Sequence, residues 1–376
     1  MNKKFFATAA LAALTVAGLT SCSNDELVEQ LTPTAQTGAI GWNITQDGAL
    51  RTRGTATTSI NYTEQIGSVM VLGYFNDGSG RYVGTSDTEG TVIKYSNGEW
   101  DYADQDKVQY WPATDKLDFQ AITPASDASI QLANEPVSNS PRLTANVTVP
   151  TNVTDQKDIM FASATAVNNY STKEPVDLTF KHALSQIVFW GKVAKSTLKA
   201  TVSSIELVNI HNTGNVGYLN AVSTLGAQAT GDAATTFGVG LTSASVSVES
   251  TTATNLTADN GALMMIPQEV TAWTTTAETN VPTSTADTNH NSYLKITCSV
   301  MDAGSETKFI DNGTVYIPFA VGWEQGKKYT YTLVFGEGSG GFDENGEPLD
   351  YLVPITYTVT SVDDWTEATG LDEIKF

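Results

Sequence analysis

Apolar residues recur at every second position in short runs along most of the chain, a rhythm that half-buried β-strands satisfy and helices do not. Ser68-Val-Met-Val-Leu-Gly-Tyr-Phe75, Lys116-Leu-Asp-Phe-Gln-Ala-Ile122, Leu178-Thr-Phe-Lys-His182 and Ser185-Gln-Ile-Val-Phe-Trp190 show it. So do Ser203-Ser-Ile-Glu-Leu-Val-Asn-Ile210, Tyr293-Leu-Lys-Ile-Thr-Cys-Ser-Val300 and Tyr329-Thr-Tyr-Thr-Leu-Val-Phe335. Gly, Asn, Asp and Pro separate the runs. Asn97-Gly98 and Asn345-Gly346 supply residues that tolerate positive φ in tight turns. Many short strands of this kind predict an all-β chain built of sandwiches. Residues 221–260 and 274–290 are rich in Thr, Ala, Ser and Asn, and are expected to be surface loops or weak edge strands.

The N-terminus carries a different pattern. Lys3 and Lys4 precede the apolar run Phe5–Leu19, which is followed by Thr20-Ser21-Cys22. A positive end, a short apolar stretch and small residues before a cut describe a secretory signal over residues 1–21. A cysteine directly after Leu-Thr-Ser resembles the lipobox of bacterial lipoproteins, which implies that Cys22 is lipidated and anchors the chain. Acyl chains bind a bilayer at roughly 0.8 kcal/mol per buried methylene, so several make a durable tether.

Loss of residues 1–21 removes Lys3 and Lys4 and moves the formal charge from −21 to −23. Such a surface repels nucleic acid and anionic headgroups, and neither is an expected partner. The remaining length suits two domains. The polar stretch Asn168–Pro175 interrupts the strand rhythm, which places a first domain at 54–175 and a second at 176–376.

Once Cys22 is acylated, Cys298 has no disulfide partner, and its place in an alternating run makes it a buried, inert thiol. The histidines, at 182, 211 and 290, lack metal-ligand spacing, and His182 reads as a core residue. Asp343–Asp350 clusters oxygen donors around a glycine but lacks the twelve-residue calcium-loop spacing, so it reads as a turn. Asp363-Asp364 could do acid–base work but has no spacing that separates it from a solvated turn. No enzyme, metal or cofactor is expected.

Before the first long run, Ala39-Ile-Gly-Trp-Asn-Ile-Thr45 puts Ile40, Trp42 and Ile44 on one face of a strand. Two arginines of a chain with few, Arg51 and Arg53, follow within a polar, glycine-containing stretch of the sort that proteases nick.

In order along the chain stand the lipobox with Asp25 and Glu26 behind it, the Arg51–Arg53 stretch, Tyr110-Trp-Pro112 leading into Leu117–Ile122, and Asp158-Ile-Met-Phe-Ala-Ser163. Leu178–Ile187, Trp323-Glu-Gln-Gly-Lys-Lys-Tyr-Thr-Tyr-Thr-Leu333 and Val362-Asp-Asp-Trp-Thr366 complete the series. Together these motifs resemble the fimbrillin family of Bacteroidia, the FimA-like and Mfa-like subunits of type V pili. The resemblance implies two transthyretin-like β-sandwich domains in tandem and a lipoprotein precursor on the outer membrane. It also implies an arginine-specific surface protease that removes residues 22–53, and polymerisation with other fimbrial subunits by strand exchange.

Mapped onto this sequence, Ile40, Trp42 and Ile44 belong to the removable strand, and Arg51 or Arg53 is the cleavage site. Two segments could be donated: the run with Val353, Ile355, Tyr357 and Val359, or the tail with Ile374 and Phe376. The alternative is a surface lipoprotein that binds glycans through tryptophans such as Trp100, Trp273 and Trp323, if these are exposed rather than core.

Overall fold

The computed structural model describes residues 38–46, 67–86, 89–127, 130–135, 142–218, 225–229, 234–273, 291–337, 341–343 and 355–364. Among these residues there is no α-helix. Two single-turn 3-10 segments, Gln105–Lys107 and Val153–Asp155, are each capped by a side chain, Asp104 and Asn152. The chain is all-β, as the alternation requires.

An eight-stranded sheet occupies the first half. Its order runs Trp42–Gln46, Val176–His182, Met160–Val167, Leu117–Thr123, Ser68–Phe75, Thr91–Ser96 and Glu99–Tyr102, with Arg81–Val83 added beside Ser68–Phe75. Both faces of the sheet are used, as its period-two rhythm allows. Val69, Val71, Phe119, Ala121, Met160, Ala162, Leu178 and Phe180 form one core with Ile40, Trp42 and Ile44. Leu72, Tyr74, Ile122 and Phe161 point the other way, into a second core shared with the rest of the molecule. The Asn97–Gly98 turn has both residues at positive φ, 55° and 92°, which turns Thr91–Ser96 tightly into Glu99–Tyr102.

The chain leaves this sheet at Ala183 and Leu184. Ser185–Val193, Lys327–Phe335 and Ile355–Asp364 then lie side by side in a five-stranded sheet with Thr254–Asn255 and Leu263–Met265. Leu198–His211, Tyr293–Asp302 and Lys308–Pro318 form another five-stranded sheet, extended by Ala234–Gly238 and Val246–Val248. Ile187, Phe189 and Leu333 of the first share one core with Val202, Leu207, Ile296 and Val300 of the second. A four-stranded sheet mixes the two halves: Ile130–Glu135 and Arg142–Thr148 pair through Thr213–Tyr218 with Leu225–Ala229.

The described parts of residues 221–260 contribute only short strands at sheet margins, Leu225–Ala229, Ala234–Gly238, Val246–Val248 and Thr254–Asn255, in line with their composition. They are fixed by isolated apolar anchors, Phe237 and Val248, that are fully buried. Residues 274–290 lie outside the described residues.

Candidate functional site

The segment Gly38–Gln46 sits in a slot with two different walls. Its first part runs antiparallel to Gln109–Trp111: the Ile40 amide donates to the Gln109 carbonyl at 2.8 Å, and the Trp111 amide to the Gly38 carbonyl at 2.9 Å. Its second part, the strand Trp42–Gln46, pairs parallel with Val176–Phe180, and the Val176 amide donates to the Gly41 carbonyl at 2.8 Å. Nothing pairs with the outer edge of Trp42–Gln46 among the described residues, so the strand ends the sheet.

Side chains do most of the holding. Ile40, Trp42 and Ile44 are 1, 6 and 5% exposed, while Gly41, Asn43 and Thr45 between them are exposed. The Trp42 ring meets Phe119 edge-on at 5.5 Å and Tyr102 at 5.9 Å, and Trp111 meets the same Phe119 at 5.9 Å. Tyr102 comes from Glu99–Tyr102 at the opposite end of the sheet order, so the sheet curls until its two margins share one core around Trp42. On the outer row, the Asn43 amide donates to Asp177 Oδ1 at 2.5 Å, and the hydroxyls of Thr45 and Thr179 stand 3.2 Å apart.

Polar atoms inside this core are poorly served. The indole nitrogens of Trp42 and Trp111 and the hydroxyl of Tyr102 are buried, and none makes a hydrogen bond of acceptable geometry. Burial drives the Tyr102 hydroxyl's pKa well up; the backbone of Gln109 and the Trp42 indole oppose the shift more weakly. Both stand near the hydroxyl, but proximity without alignment makes a weak contact.

The structure brings together Ile40, Trp42 and Ile44 as the alternation predicted. Cys22, Arg51, Arg53, Ile374 and Phe376 lie outside the described residues, as do Val353 and the turn around Asn345-Gly346. Of the other candidate donor run, Ile355 is buried and Tyr357 and Val359 are half-buried, all within this chain's own five-stranded sheet. Sequence reasoning missed both walls of the slot. Tyr110-Trp-Pro112 and Leu178–His182 were legible as a motif and a strand, but no local signal joined either to residues 38–46.

Elsewhere, Cys298 is 1% exposed and burial pushes its thiol up to about 12, so it carries little thiolate at neutral pH. His182 is buried against Asp158, with Nδ1 2.7 Å from Oδ2, at the end of the strand that receives the first segment. Trp273 and Trp323 are 1 and 3% exposed, and the Trp323 indole donates to the Tyr331 hydroxyl at 3.0 Å. Neither offers a face to a sugar. Trp100 is half-buried and packs on its cross-strand partner Tyr95 at 5.4 Å. Among the described residues no cluster of His, Cys, Asp and Glu could hold a metal ion.

No curated protein matches the chain. Among solved structures it is similar to a candidate cell adhesion protein of Bacteroides ovatus, at 14% identity over 88% of this chain and 98% of that one, with a TM-score of 0.45. A candidate cell adhesion protein of Bacteroides uniformis follows at 15% identity, over 88% and 100% of the two chains, with a TM-score of 0.42. The tip fimbrial protein Mfa3 of Porphyromonas gingivalis, truncated at its C-terminus, gives 10% identity over 86% and 99%, with a TM-score of 0.35. The model of the fimbrillin-like family matches residues 52–363, most of the sequence and both halves of the fold. The chain belongs to the fimbrillin-like family.

Proposed function

We propose that the protein is a structural subunit of a fimbrium that supports adhesion. It is exported as a lipoprotein precursor, anchored in the outer membrane through Cys22, and exposed at the cell surface. There an arginine-specific protease cuts after Arg51 or Arg53, the segment Gly38–Gln46 leaves its slot, and a strand of another subunit takes its place. On this reading the two halves are transthyretin-like sandwiches in tandem, and the tail with Ile374 and Phe376 is the donated segment. The run beginning at Ile355 remains with its own sheet.

The observation that carries the reading is the seating of one short edge strand by three buried side chains. Burying them stabilises the segment by roughly 1.5–3 kcal/mol each. Departure of the segment bares a groove beside Phe119 and Tyr102 and leaves the edge of Val176–His182 unpaired, a template for another strand. Strand addition restores the main-chain bonds, and alternate side chains entering the vacated pockets fix the register. Residues 47–67, which carry both arginines, join the segment to Ser68–Phe75, so a cut there separates the segment from the rest of the fold.

Digestion of the full chain with an arginine-specific protease tests this. The expected result is a new N-terminus at residue 52 or 54 by intact mass, followed by SDS-resistant ladders, both lost in the Arg51→Ala/Arg53→Ala variant. A product cut at these sites that stays monomeric at high concentration would overturn the assembly mechanism.

A further inference from the structure

We propose that the slot is built to hold its first occupant below the strength it could reach, and that Tyr102 is the residue that sets this shortfall. The inference rests on the exchange reading above and deepens it: it concerns how readily the resident segment leaves.

Three observations converge on the same few residues. The Trp42 indole N–H and the Tyr102 hydroxyl are buried together, their rings 5.9 Å apart, yet neither is properly hydrogen-bonded. Trp111, on the wall that pairs with Gly38 and Ile40, adds a second unbonded indole N–H against Phe119. Buried polar groups ordinarily find partners, because one left unbonded forfeits its hydration without return. The third observation is backbone direction. Trp42–Gln46 runs parallel to Val176–Phe180 while the strand on the other side of Val176–His182 is antiparallel, and parallel pairing is slightly the weaker per residue.

The rest of this core shows that the shortfall is local. Phe119, which meets Trp42 edge-on, and Leu178, Phe180 and Met160 are fully buried, apolar members of the same core, so the slot has the means to bind a strand tightly. What it lacks is good hydrogen-bond geometry for the indole and the phenol, which stand near one another without meeting it. A strand that brings an aliphatic or phenyl side chain to the position of Trp42 removes one of these unbonded groups and keeps the apolar contacts. The resident strand is therefore a placeholder, seated well enough to complete the fold and poorly enough to be displaced.

Tyr102→Phe in the full chain separates this from the ordinary alternative, because the two give opposite signs. The readout is hydrogen exchange at the Ile40, Trp111 and Val176 amides, whose bonds exist only while the segment is seated. The Leu117–Thr123 amides serve as an internal reference. If the hydroxyl is an unserved polar group, its removal slows exchange at the three seat amides by about fivefold or more, with the reference unchanged. Equal or faster exchange at these amides overturns the proposal, since the hydroxyl would then be a satisfied partner. Replacing Trp42 by 3-benzothienylalanine, which keeps the ring and lacks the N–H, is expected to slow exchange in the same way, and acceleration there also counts against it. Slower exchange in a chain that fails to form ladders after cleavage leaves the tuning of the slot in place and removes only its use in assembly.

Discussion

The strands Trp42–Gln46 and Ile355–Asp364 both lie at the margin of a sheet, and they are retained by different means. The first is 5 residues long, runs parallel to its neighbour, and sinks Trp42 and Ile44, with Ile40 just before it, into a core apart from the main one. The second is 10 residues long and antiparallel, and it pairs with Lys327–Phe335 along that whole strand. Among its described side chains Ile355 is buried, whereas Tyr357, Thr358 and Val359 are half-exposed, Tyr357 against Phe319 and Tyr331 at 5.0 and 5.9 Å. Side-chain pockets hold the early strand and backbone pairing holds the late one. A strand held by pockets can be replaced by any strand with suitable side chains, which is what exchange between subunits requires.

Truncation at the two sites should therefore differ most. Trp42→Ala removes the ring on which Phe119 and Tyr102 both rest and opens a cavity that a curled, close-packed sheet cannot collapse into. A loss of about 3–5 kcal/mol is expected for a buried tryptophan. Tyr357→Ala, at a half-exposed position backed by continuous pairing, should cost about 2 kcal/mol or less. Denaturant unfolding of both variants makes the measurement; equal losses would mean that the early strand is no more pocket-dependent than the late one.

Cys298 offers a way to ask whether the two regions fail together. It lies in Tyr293–Asp302, inside the core that the late strand helps to cover, and well away from the residues that seat the early one. Its thiol should resist thiol reagents in the native chain and stay resistant in Trp42→Ala if the early seat opens alone. The sign of its pH dependence follows from burial. The native pKa of about 12 stands above an unfolded value of roughly 8.5, so between these limits the folded state binds the proton more tightly and stability falls as pH rises. Relative to Cys298→Ala, which lacks this group, the native chain should lose about 2 kcal/mol between pH 7 and pH 10. A constant difference across that range would show that the thiol is open to solvent.

These contrasts were only partly legible in the amino-acid sequence. Alternation sufficed for Ser68–Phe75, found with the same ends, and for the buried row of Ile40, Trp42 and Ile44, because period-two patterning is a local property of the strand. Pairing is not local. Asn43 and Asp177 stand 134 positions apart in sequence, and neither residue type announces the other. The same holds for Arg142–Thr148 and Thr213–Tyr218, where a hairpin from each half completes one sheet. Tyr102 was hidden for another reason: it shares a face of its strand with Trp100, and only the curl of the sheet decides which of the two reaches Trp42. The polar stretch Asn168–Pro175 breaks the rhythm, but Val176–His182 beyond it still pairs with Met160–Val167 in the first sheet, a long-range choice that local composition does not carry.

The smallest effect belongs to the outward row of the early strand. Asn43 donates to Asp177, and Thr45 faces Thr179, across the same parallel edge that seats Trp42, but all four side chains are in contact with water. A hydrogen bond there replaces one to solvent, so it adds little net stability even with a carboxylate as acceptor. Asn43→Ala should lower stability by less than about 1 kcal/mol and leave the exchange of the Val176 amide within a few-fold of the native chain. The same substitution is also a test of where specificity for the occupant resides. If the inward pockets alone hold the early strand, Asn43 can be removed without freeing it. A loss approaching that of Trp42→Ala would instead place the hold on the outer row, and an incoming strand would then have to match Asp177 and Thr179 as closely as it matches Phe119.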